Sequence, residues 1–212
     1  MGDFMSGYHT SDQEQIQMLK DWWRKYGTTV LVGLMVFFLV NFSWSFWRNY
    51  QQRYNDEASL MYTQLLSKTQ LKQDDAVRTL SDHLLKDYNR TPYASLTALL
   101  LAKNAVGQKK MDVALTQLQW VIDNSSSDSL KQMARIRAAR ILFANNKKQE
   151  ALDILQRVDD DGYMAPVLEL RGDILLSQGK KDEAAAAYRD ALKSIPEEAT
   201  PPLLKMKLER LS

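Results

Sequence analysis

Residue types that carry acid–base, nucleophilic or metal chemistry are few and scattered in this sequence. There is no cysteine, so thiolate chemistry, a disulfide framework and a cysteine-held metal are excluded. The two histidines are His9, in a leader without apolar periodicity, and His83, at helical spacing beside Leu84. The acidic run Asp159-Asp160-Asp161 precedes Gly162, but a calcium loop needs alternating ligands and a distant bidentate Glu, so the run reads as a loop. Neither a Gly-rich phosphate loop nor a Gly-x-Ser-x-Gly elbow occurs. The 28 basic and 26 acidic residues leave a net charge of +2, too little to mark a nucleic-acid partner. These features describe a non-enzymatic chain with no cofactor, no metal and no small-molecule substrate.

The chemistry that remains is recognition. Leu99, Ile136 and Glu169 fall on one position of an internal repeat, and Lys103, Arg140 and Asp173 on another, with Leu96, Val106, Arg137 and Phe143 nearby. Stacked helix pairs line a groove with the first helix of each repeat. A groove with an apolar floor and two cations suits an extended or helical segment bearing an acidic group. The competing reading is that these charges form only a solvated helix face.

The repeat is clearest in its last copy. Leu168, Gly172 and Leu175, then Gly179, Ala184, Tyr188, Ala191 and Pro196, match the tetratricopeptide pattern of large, small, large, turn, small, aromatic, small, proline. Gly172 and Ala184 are small where two helices cross closely, and Tyr188 fills the gap to the next helix. Gly179 ends the first helix as a left-handed cap, and Pro196 stops the second. Thirty-three residues earlier Ala139, Asn146, Ala151 and Leu155 take these places, and Ala102, Lys109, Ala114, Leu118 and Val121 do so before them. The first two full repeats are set apart by a three-residue lengthening. The repeats cover about 95–128, 132–164 and 165–198, with capping helices over 50–90 and 202–211. Thr91-Pro92 is a cap followed by proline at the first helical position. No segment alternates with period two, so no sheet is expected.

Ahead of the repeats, Tyr26–Trp47 has no Asp, Glu, Lys, Arg or His. As a helix its 22 residues measure about 33 Å, enough for a hydrocarbon core of about 30 Å. Trp22, Trp23 and Tyr26 flank one end and Trp44, Trp47 and Tyr50 the other, as interfacial aromatic belts do. Lipid-bilayer contact is therefore expected at Trp22, Trp23, Trp44 and Trp47. Asn41 inside the run either meets a partner's membrane helix through its amide or reaches interfacial water. Bulky residues occupy the place of a cleavage site, so the segment reads as an uncleaved signal anchor. Lys20, Arg24 and Lys25 before it against Arg48 and Arg53 after it favour a cytoplasmic N-terminus. Ser11-x-x-Glu14 is a capping box that opens a short amphipathic helix through Ile16, Leu19 and Trp23. The layout is thus a cytoplasmic tail over 1–25, a transmembrane helix over 26–47 and an exported domain over 48–212. The fold class is all-α: one N-terminal transmembrane helix followed by a tetratricopeptide-like solenoid of helical hairpins.

This layout resembles the YfgM-like ancillary subunits of the bacterial SecYEG translocon. The resemblance is carried by the opening DQEQIQMLKDWWRKYG, the apolar run, TPYASLTALLLAK, ARIRAARILFANNKKQEALDIL, LELRGDILLSQGKKDEAAAAY and the closing LLKMKLERL. It implies a single-pass protein of a Gram-negative inner membrane with its repeats in the periplasm. It also implies two partners, the SecYEG translocon and a membrane-anchored periplasmic chaperone of the peptidyl-prolyl isomerase type, and no catalytic residues. The rival readings are a scaffold for envelope assembly or cell division and a membrane-bound envelope enzyme or ligand sensor.

Overall fold

The computed structural model describes residues 9–199 and 201–211, with the side chains of 9–15, 40, 43 and 45 outside that description. Of the leader expected over residues 1–10, residues 1–8 lie outside the described residues, and His9 and Thr10 belong to helix α1 instead. All regular structure among the described residues is helical: α1 His9–Gln70, α2 Asp74–Asp87, α3 Pro92–Gly107, α4 Met111–Asn124, α5 Asp128–Ala144, α6 Lys148–Leu155, α7 Met164–Ser177, α8 Lys181–Lys193 and α9 Pro202–Glu209, with short 3₁₀ turns at Asp161–Tyr163 and Glu197–Ala199. The chain divides into two compact units after Arg53.

The first unit is helix α1 up to that point. Helical structure is assigned from His9, so Ser11 stands inside the helix rather than capping it at its start, and the side chains of Ser11 and Glu14 lie outside the described residues. Leu31, Val32, Leu34, Met35, Phe37, Phe38 and Leu39 are all exposed, so consecutive positions around the helix present apolar surface on every side. Among the described residues no helix is long and apolar enough to cross a membrane. The 22-residue run of the sequence includes positions 40, 43 and 45, whose side chains are not described. Trp22 packs 6.5 Å from Trp23 and 6.0 Å from Tyr26.

The second unit stacks antiparallel hairpins, α3 on α4, α5 on α6 and α7 on α8, each packed on the next. The end of α1 and α2 form a further pair at one end of the stack. Ala58 and Leu65 bury against Leu84, Tyr54 stacks on Tyr88 at 4.9 Å, and the Tyr88 hydroxyl donates to Glu57 Oε2 at 3.0 Å. At the other end α9 covers α7 and α8 by burying Leu204 beside Leu175 and Tyr188.

Four turns repeat one device. Lys72, Lys109, Asn146 and Gly179 have φ of 54°, 59°, 62° and 81°, the left-handed conformation that closes a helix. Each is followed by an amide that reaches back five residues: Gln73 to Lys68 at 3.0 Å, Lys110 to Ala105 at 2.8 Å, Lys147 to Leu142 at 2.8 Å and Lys180 to Leu175 at 3.1 Å. These are Schellman caps, and they satisfy carbonyls that a helix end leaves bare. The intervals between them are 37 (109−72), 37 (146−109) and 33 (179−146). Against the 34-residue tetratricopeptide period the interval between the first two full repeats is three residues longer, as expected, and the same interval recurs one step earlier.

The crossing of α7 and α8 follows from residue size. A Cβ added to Gly172 would lie 2.4 Å from the Tyr188 ring, and that ring is completely buried. In the two preceding hairpins Ala139 faces the place of Leu155, and Ala102 that of Leu118, all of them buried. A methyl on the first helix is accommodated where the second helix brings an aliphatic side chain in place of an aromatic one. Thr91 caps α3 by accepting from the Ala94 amide at 3.4 Å, with Pro92 in the first turn.

Candidate functional site

The first helices of the hairpins, α3 and α5, leave a groove of about 630 Å³ between them, closed at one end by Tyr62 of α1. Its floor is apolar, with Leu96, Leu99, Leu100, Met133 and Ile141. Three cations, Lys103, Arg137 and Arg140, stand on its walls, and no carboxylate lines it. All three are exposed, and among the described residues none has a carboxylate within salt-bridge distance. Burial holds the Tyr62 hydroxyl above its ordinary pKa of 10.0, so it stays a neutral donor at the mouth of the groove.

The sequence-predicted groove residues divide into three sets. Leu99, Lys103 and Arg140 meet in this groove, together with the neighbouring Leu96, Val106 and Arg137. Ile136 and Phe143 do not line it. Ile136 is only 5% exposed and packs with Val167, Leu170 and Ile174 of α7, and Phe143 is half-buried against the same cluster. Their side chains belong to the joint between α5 and α7, because the following hairpin covers that face of α5.

Glu169 and Asp173 form the third set, and they are already occupied. Lys207 of α9 bridges them, at 2.7 Å to Glu169 Oε1 and 2.8 Å to Asp173 Oδ2. The other Asp173 oxygen accepts from the Tyr188 hydroxyl at 2.7 Å, and the Lys207 ammonium lies 5.8 Å from the centre of that ring. Burial, and then the hydrogen bond to Asp173, push the Tyr188 hydroxyl well above its ordinary range. For Lys207 burial works downward, but the hydrogen bonds to Asp173 and Glu169 outweigh it and the net direction is up. These two acids fasten the terminal helix, so they are not available to a partner. The cation that takes them lies in the expected capping helix and was the unrecognised member of the set.

The remaining candidates sit on α1. Trp22, Trp23, Trp44 and Trp47 are exposed. The Asn41 amide donates to the Phe37 carbonyl of its own helix at 2.9 Å, which satisfies one of its two N–H groups without a partner chain. Arg137 lines the groove, as expected of a residue near it, whereas Tyr62 was absent from the predicted site. Tyr62 was hidden because it lies in the capping pair, although its spacing from Ala58 and Met61 marks it as facing inward. Among the described residues no group of His, Asp or Glu has metal-holding geometry, and Asp160 caps the short turn beside it, its carboxylate accepting from Gly162 N at 2.9 Å.

A family model described as a tetratricopeptide repeat-like domain matches residues 20–212. The chain resembles proteins named ancillary SecYEG translocon subunit. It is 26% identical to that of Escherichia coli (strain K12) over 204 residues, 96% of this chain and 98% of the relative. It is 28% identical to that of Aggregatibacter actinomycetemcomitans over 184 residues, 87% and 90%, and 24% identical to that of Neisseria gonorrhoeae over 205 residues, 96% and 98%. Among solved structures, the crystal structure of MamA protein aligns with a TM-score of 0.55 at 22% identity, over 73% of this chain and 81% of that one; this likeness concerns the fold alone.

Proposed function

The chain belongs to the tetratricopeptide repeat-like domain family, and from that premise we propose that it is a non-enzymatic adaptor of the SecYEG translocon. Residues 26–47 hold it in a bacterial inner membrane, with 1–25 in the cytoplasm and 48–212 in the periplasm. Its groove then docks a membrane-anchored chaperone of the peptidyl-prolyl isomerase type that receives exported chains. The observation that carries the reading is the apolar groove with Lys103, Arg137 and Arg140 unpaired on its walls. An apolar floor supplies area-dependent binding, and like charges without internal partners select a segment with carboxylates. The names of the relatives, ancillary SecYEG translocon subunits, support the translocon as the place of action. The apolar surface around α1 supports lipid contact, since water would penalise so large an uncovered area.

Crosslinkers placed at Trp44 and at Arg140 in native membranes test the reading. Capture of translocon subunits and of an isomerase-type chaperone is expected; recovery of division or wall-synthesis proteins alone would overturn it. The absence of cysteine makes topology easy to read. A thiol at Gln149→Cys should react with a membrane-impermeant maleimide once the outer membrane is opened, and one at Gln17→Cys only after lysis. The reverse labelling would refute the assigned orientation.

A further inference from the structure

A second groove lies on the opposite side of the hairpins, between their second helices. It measures about 790 Å³ and runs between α4 and α6, with Ala138 and Leu142 of α5 beneath it. Its origin is a length mismatch. Helix α6 has 8 residues, whereas α4 has 14 and α8 has 13. At 1.5 Å per residue α6 is about 9 Å shorter than α4, so the last turns of α4, with Trp120, have no matching helix beside them. Val158 still buries at the place that Val121 holds in α4, but after α6 has ended.

The charge here is opposite to that of the first groove. Asp123 and Asp153 stand on facing walls with Glu150, against Arg157 alone. Asp123 and Asp153 are exposed and have no cation within salt-bridge distance among the described residues. Among the described residues each accepts only from a glutamine of its own helix, Gln119 Nε2 and Gln149 Nε2, both at 2.8 Å. On the same lining, the Gln117 amide oxygen is buried without a hydrogen-bond partner among the described residues. Leu115, Trp120 and Ile154 supply half-buried apolar surface between these groups.

We propose that this groove is a second docking site, which takes a peptide segment that pairs large apolar side chains with lysine or arginine. Apolar residues occupy the space beside Leu115, Trp120 and Ile154, and the cations reach Asp123 and Asp153 across it. The two faces of one stack then choose segments of opposite charge, which lets one chain hold two different partners at once. This site does not depend on what the Lys103–Arg140 groove binds.

The test uses the full chain in non-ionic detergent and two fluorescein-labelled peptides read by anisotropy. One carries three leucines alternating with three lysines, and its twin has glutamates in place of the lysines. The lysine peptide should bind the wild-type chain. Its affinity should fall at least about tenfold in Asp123→Asn with Asp153→Asn, and stay unchanged in Lys103→Gln with Arg140→Gln. Tryptophan emission should shift on binding, and the shift should vanish in Trp120→Phe. The proposal is overturned if the lysine peptide does not bind, if neutralising the two aspartates leaves its affinity unaltered, or if the Lys103 and Arg140 changes weaken it equally. Asp123 and Asp153 are exposed, so an unchanged melting curve is the control that the variant is folded.

Discussion

Lys103, Arg140 and Asp173 hold the same place in three successive hairpins, yet they live in different circumstances. Asp173 is bound by Lys207 and Tyr188, whereas Lys103 and Arg140 face an open groove with no carboxylate on its walls. The last hairpin spends its position on closing the stack, and the earlier ones keep theirs exposed. A stack of helices must be sealed at its end, and a polar seal needs its charges matched, because desolvated carboxylates without a cation are costly. An open groove has the converse requirement: charges that its own chain does not satisfy. Equivalent positions therefore carry opposite signs according to whether the neighbour is internal or external.

The sharpest way to break this comparison is at the sealed hairpin. Gly172→Ala sets a methyl 2.4 Å from a fully buried ring, so α7 and α8 must separate. Overpacking of this kind costs about 1–3 kcal/mol, and the gain in helix propensity returns about 1 at most. We expect a net loss of about 1–2 kcal/mol in denaturant unfolding. Adding Tyr188→Leu should recover part of it, since Ala with Leu is the pair used at Ala139–Leu155 and Ala102–Leu118. If the double variant is no better than the single one, the size coupling is wrong.

The seal itself comes next. Lys207→Met keeps much of the stem but leaves Glu169 and Asp173 facing each other without a cation. The three side chains are about a quarter exposed, at 23%, 26% and 28%, so solvent screens part of the loss, and about 1–2 kcal/mol is expected. The pH dependence has a definite sign. Lys207 and Tyr188 are both raised in the folded chain, above ordinary values of 10.5 and 10.0. Their contribution is complete below about pH 10 and is lost as pH rises through the folded values, because the unfolded chain gives up these protons first. Melting temperature should stay level to about pH 9.5 and then fall, and the fall should be shallower in Lys207→Met with Tyr188→Phe. An equally steep fall in that variant would refute the assignment.

Smaller effects are expected at the left-handed turns. Gly179→Ala meets nothing within 4 Å, so its cost is conformational alone, about 1 kcal/mol. Lys109→Gly should stabilise by a similar amount, since Lys109 bears that strain at φ 59°. Opposite signs in parallel melts bear this out; the same sign in both would not.

Much of this architecture could be read in the residues, for identifiable reasons. Gly179 and Asn146 announced their turns because few other residues tolerate positive φ. Lys72 and Lys109 gave no such signal, and their turns follow from helix packing rather than from their own preference. The need for a small residue at Gly172 was legible, but the pattern pairs it with Ala184 and turns Tyr188 toward the next helix, whereas the Tyr188 ring also packs on Gly172 itself. Ile136 was misplaced because periodicity gives a position within a repeat but not whether the next hairpin covers it. Lys207 escaped notice for a related reason: its partners lie 34 and 38 residues away. The α4–α6 groove depends on α6 ending at Leu155, although Val158 continues the apolar spacing past the helix end.

The smallest expected effect is the one that most sharpens the contrast between hairpins. Lys103→Glu with Arg140→Glu reverses two charges at the positions where Asp173 is indispensable to the seal. Both side chains are exposed and neither has a carboxylate partner among the described residues. Surface changes of that kind fall within about 0.5 kcal/mol, so helicity and melting should match the wild-type chain. Retention of the chaperone proposed as partner, in pull-downs from detergent-solubilised membranes, should nevertheless drop, and drop further as salt is lowered, because the introduced carboxylates repel at longer range. If stability falls as it does in Lys207→Met, the two cations serve the fold and the distinction between sealed and open hairpins fails. If stability and retention both hold, the distinction survives in the fold, but the partner rests on another face of the stack.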